Sequence, residues 1–323
     1  MAGSGVLRVA VIGVGYLGRF HAQKYAAMEG VELVAVADLD EERARTVAQE
    51  VGCRAVTDFR ELLGEIDAAS VVVPTVHHHR VALPLLERGV HCLVEKPLTA
   101  TLEEADELIE AAERQGVVLQ VGHLERFNPA VEFLSGRVTT PLFIEAHRLS
   151  GFKERSIDVD VVLDLMIHDI DIVLSLVDSP VKEIRAVGVP VLTPRVDIAN
   201  ARIIFEDGCN ANLTASRISL QAMRRIRVFQ PGAYISADCA EQRGMMVTTD
   251  PTRRGMEAIR PEFCNLPRRD ILMDELQAFV EAVREGAPPR VDGRAGRAAL
   301  AMAMEINGVI RAQLARQGLA VLG

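Results

Sequence analysis

The sequence predicts two domains: a doubly wound α/β domain with a parallel sheet, then an α+β domain with an open antiparallel sheet. Three observations carry this. The chain has 323 residues, more than one hydrophobic core usually supports. Strand and helix signals alternate through its first 120 residues, which implies a parallel sheet covered on both faces. Beyond Gly122, strand signals follow one another without intervening helices, as in antiparallel sheets. The expected boundary therefore separates residues 1–121 from 122–323.

In order, Leu7–Ile12 (LRVAVI) reads as a buried strand and Gly18–Met28 as a helix. Val31–Ala37 is the second strand, and Glu41–Val51 a helix with Asp38 and Asp40 near its start. Ala69–Val73 is a third strand, His79–Arg88 a helix that Gly89 ends, and Val90–Glu95 a fourth strand. Leu102–Gln115 is amphipathic, with Thr101 placed as its N-cap and Gly116 as its stop. Val117–Val121 is another strand.

In the second half, Val159–Leu176 is helical, and Leu142–Leu149, Val181–Leu192, Ile198–Phe205, Asn210–Ser216 and Arg225–Phe229 are β-rich. Turn signals at Glu206-Asp207-Gly208 and Pro231-Gly232 separate strands. Arg253–Arg269 is expected to be a mobile loop. Helical stretches at Asp270–Arg284, with apolar Leu272, Leu276, Phe279, Val280 and Val283, and at about 293–317 close the chain.

Composition excludes several classes. A net charge of -9 gives no broad positive field for nucleic acid or an anionic membrane. Five well-separated cysteines without a CxxC pair indicate neither a disulfide framework nor a zinc site. The N-terminus lacks the pattern of a signal peptide, and no apolar run nears the roughly 20 residues of a membrane span. A reduced, cytoplasmic protein is expected. Of 36 basic residues only Lys24, Lys96, Lys153 and Lys182 are lysines, so a lysine inside a motif carries weight.

Gly13-Val14-Gly15-Tyr16-Leu17-Gly18 is a G-x-G-x-x-G between a strand and a helix, and Asp38 follows the next strand. Gly13 permits the tight turn, Gly15 lets the backbone approach a pyrophosphate, and Gly18 allows close helix–strand packing. The pyrophosphate then meets the helix N-terminal amides. A carboxylate at Asp38 can accept from both ribose hydroxyls and repels a 2'-phosphate, which favours NAD over NADP. Arg43 is the residue that could reverse this preference.

Glu95-Lys96-Pro97 ends the fourth strand, at the carboxyl edge where open α/β sheets bind ligands. Lysine there can hold a substrate oxygen by charge and, unlike arginine, can lose its proton when buried. Asp164 and His168 are spaced i, i+4 on a helix and so share a face. An acid beside an imidazole suits a general base, which hydride transfer from an alcohol requires. Capping and solvated carboxylates are the alternative for this segment, and its ligands are too few and too acidic for a typical zinc site. Pro74-Thr75-Val76-His77-His78-His79 follows the third strand, where a loop passes the cofactor. Arg126 and Asn128, near the domain crossover, suit sugar or phosphate, with capping an equal alternative.

Together these motifs resemble the glucose–fructose oxidoreductase/inositol dehydrogenase/rhizopine catabolism (Gfo/Idh/MocA) family along essentially the whole chain. The resemblance implies a Rossmann domain followed by an open sheet that commonly forms an oligomer interface, hence a dimer or tetramer. It implies Lys96, Asp164 and His168 as the catalytic trio and places Thr75, His78 and Glu95 with the glycine turn at NAD. The usual glycine-rich lead-in to the aspartate is replaced by Asp158-Val159-Asp160-Val161-Val162-Leu163. Residues 122–130 and 162–169 look most like the UDP-N-acetylglucosamine 3-dehydrogenases, which implies a nucleotide-sugar substrate. Arg126, Arg148, Lys153 and Arg155 could hold its diphosphate. A polyol or free-sugar dehydrogenase and a non-catalytic NAD-binding regulator are the rival readings.

Overall fold

The computed structural model describes residues 5–152 and 159–319. Packing divides the chain into two compact units, residues 1–124 with 270–297 and residues 125–269 with 298–323.

The first unit opens with β1 (Leu7–Ile12), α1 (Tyr16–Ala26), β2 (Val31–Ala37), α2 (Glu41–Val51), β3 (Arg54–Val56), β4 (Ala68–Val71), α3 (His78–Glu87), β5 (His91–Glu95), α4 (Leu102–Gln115) and β6 (Leu119–Gly122). The six strands form one parallel sheet in the order β3-β2-β1-β4-β5-β6. The order reverses between β1 and β4, the switch point where such sheets leave a crevice beyond their strand ends. Local chemistry sets the element ends. Thr101 and Glu104 form a capping box on α4, and Gly116 closes it in a left-handed conformation at φ 66°. The three-residue β3 escapes a sequence reading because it is too short to show a period.

The second unit contains α5 (Pro129–Ser135), β7 (Phe143–Leu149), a π-helical turn at Val162–Met166 running into α6 (Ile167–Leu176), and β8 (Val181–Val189), β9 (Ile198–Phe205), β10 (Asn210–Ser216), β11 (Met223–Gln230), β12 (Ala233–Asp238), β13 (Arg243–Thr249) and β14 (Ile259–Asn265). The eight-stranded sheet runs β14-β13-β12-β11-β7-β10-β9-β8. It is antiparallel except for the parallel pair β7–β10. Inward side chains of alternate residues, among them Ile144, Ala146, Ile203, Leu213, Ile226 and Ile235, build a core with Ile167, Ile170 and Val173 of α6.

Two expectations are corrected here. The segment expected to be a mobile loop contains β14. Its side chains are largely exposed and it carries Pro261, both marks of an edge strand. The chain also returns to the first unit through α7 (Ile271–Glu285), so a single cut at 121/122 is too simple. Leu272, Leu276, Phe279 and Val280 of α7 pack with Tyr25, Val36 and Leu93 of the first unit. Helix α8 (Gly293–Arg316) ends the described fold. Among the described residues no helix is long and apolar enough to cross a membrane.

Candidate active site

In the first unit the glycine turn is built as its spacing requires. Gly13 has φ 87°, and a Cβ on it would lie 2.5 Å from the Val72 carbonyl oxygen. A Cβ on Gly18 would lie 1.9 Å from the Gly13 carbonyl oxygen. Gly15, the N-cap of α1, has nothing within 4 Å of its would-be Cβ. Two glycines are thus demanded by the protein's own packing, and the third leaves room for a ligand. Asp38 follows β2. Its Oδ2 accepts from the Val14 N–H and its Oδ1 from the Asp40 N–H, each at 3.0 Å. Arg43 Nη1 lies 3.3 Å from both oxygens. The carboxylate is thereby tied to the turn it serves, with the guanidinium named above beside it.

A cleft of about 850 Å³ beyond the strand ends is lined by Gly13, Gly15, Leu17, Asp38, Thr75, His78, Glu95 and Lys96, among others. Tyr16 lines a neighbouring groove with Arg19 and Arg43, and Gly18 packs beneath the turn. Thr75 begins a short 3-10 turn after β4. His78 is buried and has a backbone carbonyl against each ring nitrogen, Pro97 2.9 Å from Nδ1 and Val73 2.8 Å from Nε2, to one of which a neutral imidazole donates. Burial pushes its pKa down, although these carbonyls and Glu95 oppose it. Such a histidine ties the loop after β4 to the loop after β5. The Lys96–Pro97 peptide bond is cis. Burial raises the Glu95 carboxyl, but His21 and Lys96 more than offset this and hold it below the usual carboxylate range.

In the second unit, Asp164 sits on the π-helical turn and His168 is the second residue of α6. Single π turns inside helices recur at functional sites. Arg217, paired with Asp197 at 3.0 Å, donates to the Val159 carbonyl at 2.8 Å and steadies the lead into this turn. Asn307 Nδ2 holds Asp160 Oδ1 at 3.1 Å. Beyond His168, Asp169 receives two hydrogen bonds from Arg148 of β7, at 3.1 and 2.8 Å. Arg148 also reaches Glu125 at 2.8 Å. All three are buried. Burial pushes the Asp169 carboxyl up despite Arg148, whereas Arg148 holds Glu125 below its ordinary value against the same burial.

The residues proposed for the substrate fare differently. Asn128 is 1% exposed. Its Oδ1 caps α5 at Ala130 N, and its Nδ2 donates to Glu125 and the Cys239 carbonyl. It is a cap with no polar atom left for sugar. Arg148 is likewise withdrawn from diphosphate binding by its two carboxylates. Arg126 Nη1 lies 3.4 Å from the Asp171 carbonyl and 3.8 Å from its Oδ1. Lys153 and Arg155 lie outside the described residues. Among the described residues, no three His, Cys, Asp or Glu side chains are grouped to hold a metal ion.

Sequence reasoning missed His21 and Glu275, buried behind Glu95. A signal existed: Glu275 lies on the apolar stripe of Leu272, Leu276 and Phe279, where a carboxylate is out of place.

A Rossmann unit with a glycine turn and an acidic second-strand terminus, joined to an open β-sheet unit, defines an NAD-binding oxidoreductase class, and this chain belongs to the Gfo/Idh/MocA family within it. Residues 7–123 match the model of the oxidoreductase family with an NAD-binding Rossmann fold, and residues 134–233 match the family's C-terminal domain. Its relatives include the UDP-N-acetylglucosamine 3-dehydrogenase of Acidithiobacillus ferrooxidans, 42% identical over 96% of this chain and 99% of that protein. The crystal structure of that enzyme superimposes with a TM-score of 0.89 over 95% of this chain and 98% of the other. A scyllo-inositol 2-dehydrogenase (NAD(+)) of Bacillus subtilis is 31% identical over 88% of each chain. A probable dehydrogenase of Thermotoga maritima has a TM-score of 0.81 at 25% identity, over 95% of this chain and 98% of that one.

Proposed function

We propose that this oxidoreductase uses NAD to oxidise the C3 hydroxyl of a UDP-N-acetylhexosamine, UDP-N-acetylglucosamine first among them. The observation that carries the reading is the 42% identity to a UDP-N-acetylglucosamine 3-dehydrogenase over nearly the full length of both chains. The cleft fits the cofactor: Gly15 leaves room for a pyrophosphate at the N-terminus of α1, and Asp38 stands where ribose hydroxyls need acceptors. NAD held by these residues would supply the acceptor for the hydride that leaves the sugar carbon. Lys96 donates to the sugar oxygen and polarises it. His168 takes the hydroxyl proton, and Asp164 orients the imidazole and stabilises its charged form. Thr75 and His78 shape the nicotinamide end. Arg126, Lys153 and Arg155 are assigned to the diphosphate on charge alone.

The test is NADH formation with UDP-N-acetylglucosamine, compared with myo- and scyllo-inositol. Lys96→Ala and His168→Ala should each cut turnover about 10²-fold or more while NAD still binds. Near-normal turnover in both variants would remove the assignment. Faster turnover of an inositol would replace the substrate with a polyol, in line with the 31% identical relative. NAD binding without turnover of any sugar would indicate a regulator.

We also read the protein as a cytoplasmic homo-oligomer. The outer face of the eight-stranded sheet carries a stack of Phe143, Phe229 and Tyr234, with ring centroids 5.6 and 4.9 Å apart. Exposed Val187, Val189 and Phe263 extend its apolar character. Light scattering that returned the 35.2 kDa monomer mass would contradict this.

A further inference from the structure

In the second unit, buried polar side chains that the proposed reaction does not use converge on Val159 and Asp160, the entry to the π turn. Arg217, just after β10, is 4% exposed, and Asp197, just before β9, is 0% exposed. Arg217 Nε donates to Asp197 Oδ1 at 3.0 Å, Nη1 to the Val159 carbonyl at 2.8 Å and Nη2 to the Val196 carbonyl at 3.1 Å. The same Val196 carbonyl accepts from the Val161 N–H at 3.0 Å. One guanidinium thus ties the backbone before the π turn to the backbone before β9. Asp197 is itself fixed. Its Oδ2 accepts from the successive N–H groups of Val191, Leu192 and Thr193 at 2.7–2.9 Å, and its Oδ1 from the Thr193 hydroxyl at 2.8 Å.

A second donor comes from α8. Asn307 is 5% exposed, and its Nδ2 donates to Asp160 Oδ1 at 3.1 Å. That oxygen also accepts from the Leu163 N–H at 3.3 Å, and the Asp160 carbonyl accepts from the Asp164 N–H at 3.1 Å. Asp160 therefore caps the helical stretch that begins at Val161, and Asp164 is bonded directly to it. Past Asp164, the Ile167 N–H reaches back five residues to the Val162 carbonyl. This π register is rare against ordinary i→i+4 bonding, so its entry must be held. Val159-Asp160-Val161-Val162-Leu163 has no proline to fix a backbone angle there. The holding groups arrive instead from 58 and 147 residues away.

We propose that Arg217 and Asn307 are positioning residues of the active site: by gripping Val159 and Asp160 they set the register of the π turn, and with it the place of Asp164 relative to His168. The proposal rests on the reading of Asp164 and His168 as the pair that handles the hydroxyl proton. Misplacing a reacting group by about 1 Å can cost about 10²-fold in rate. A loosened entry should therefore appear in kcat. NAD binding, whose residues lie in the first unit, should be left alone.

Steady-state kinetics of the full-length enzyme test this, with NAD and the sugar that the wild type turns over fastest among those named above. Asn307→Leu removes the donor to Asp160 without adding a charge. It should lower kcat about tenfold or more, with the KM for the sugar within about threefold of wild type and the Kd of NAD unchanged. Arg217→Lys keeps a cation beside Asp197 but lacks the planar fork that reaches two carbonyls and a carboxylate together, and should behave alike. Ile235→Val, a core change in the same unit, is the comparison: it should lower the Tm by a few degrees and keep the wild-type kcat. A kcat within about twofold of wild type in either positioning variant overturns the proposal, and so does an equal loss of kcat in Ile235→Val. Where Arg217→Lys fails to fold, Asn307→Leu decides. Near-normal turnover in His168→Ala would instead sink the reading of the catalytic pair, whatever the positioning variants do.

Discussion

The two units each bury a cluster of charged side chains, and the clusters are built in opposite ways. In the second unit Arg148 sits between Glu125 and Asp169 with three hydrogen bonds of 2.8–3.1 Å. Asn128 takes a further Glu125 oxygen. In the first unit Glu275 has two buried oxygens without partners, and the nearest contact of His21 to a carboxylate is 3.4 Å. Buried polar groups are normally satisfied, so an orphan calls for a reason. The saturated cluster has a structural reason: it pins Asp169, and with it the start of α6, to β7. The unsaturated cluster reaches the cofactor cleft through Glu95. The two clusters thus differ in hydrogen-bond saturation, and with it in how burial is met: by a cation at Asp169 and Glu125, and by a raised carboxyl at Glu275.

The largest expected effect breaks the saturated cluster. Arg148→Met removes the cation hydrogen-bonded to both buried carboxylates, leaving the half-exposed Arg224 at 3.5 Å from Glu125, and should destabilise the protein by about 3–5 kcal/mol, read by chemical denaturation. Adding Glu125→Gln and Asp169→Asn should recover much of the loss, because the charges that need a partner are then gone. A loss below about 1 kcal/mol for the single change would mean that Arg148 pays little of the desolvation of its partners and that the contrast between the clusters is false.

The unsaturated cluster should respond through pH. A folded-state pKa raised above the ordinary 4.5 means that the folded protein holds a proton which the unfolded chain releases. The stabilisation is complete below about pH 4.5 and is lost as pH rises through the folded value. Relative to wild type, Glu275→Gln should therefore be nearly neutral near pH 4.5 and increasingly stabilising toward pH 8. Parallel Tm curves for the two proteins across that range would place the Glu275 carboxyl in an ordinary environment.

The geometry of the glycine turn and its aspartate was legible in the sequence and the buried clusters were not, for one physical reason. Gly13, Gly15, Gly18 and Asp38 act through local backbone geometry, and local geometry leaves a spacing that can be read. Glu95 and Lys96 were legible because a strand end marks the sheet edge. Asn128 and Arg148 look like ligands in one dimension because both types bind sugars and phosphates. Only Cys239, 111 residues beyond Asn128, and Asp169, 21 residues beyond Arg148, reveal that they are occupied. The return of α7 to the first unit was hidden for the same reason: its apolar stripe states that it packs, and not against what. Glu275 was readable only as a misfit on that stripe.

The smallest effect sharpens the contrast at the cleft itself. Gly15 has φ -65° and ψ -157°, a conformation that alanine adopts without strain, and its would-be Cβ meets no protein atom within 4 Å. As an N-cap change, Gly→Ala costs about 1 kcal/mol, because alanine caps less well than glycine. The added methyl also enters the space through which a pyrophosphate would approach the α1 amides. Gly15→Ala should lower the Tm by only a few degrees yet weaken NAD binding about tenfold, roughly 1.4 kcal/mol, as read by calorimetric titration. Gly18→Ala, whose methyl would meet the Gly13 carbonyl oxygen at 1.9 Å, should lower stability as well as affinity. Equal losses of Tm in the two variants would mean that Gly15 serves the fold rather than the ligand, and the open space at the turn would lose its functional meaning.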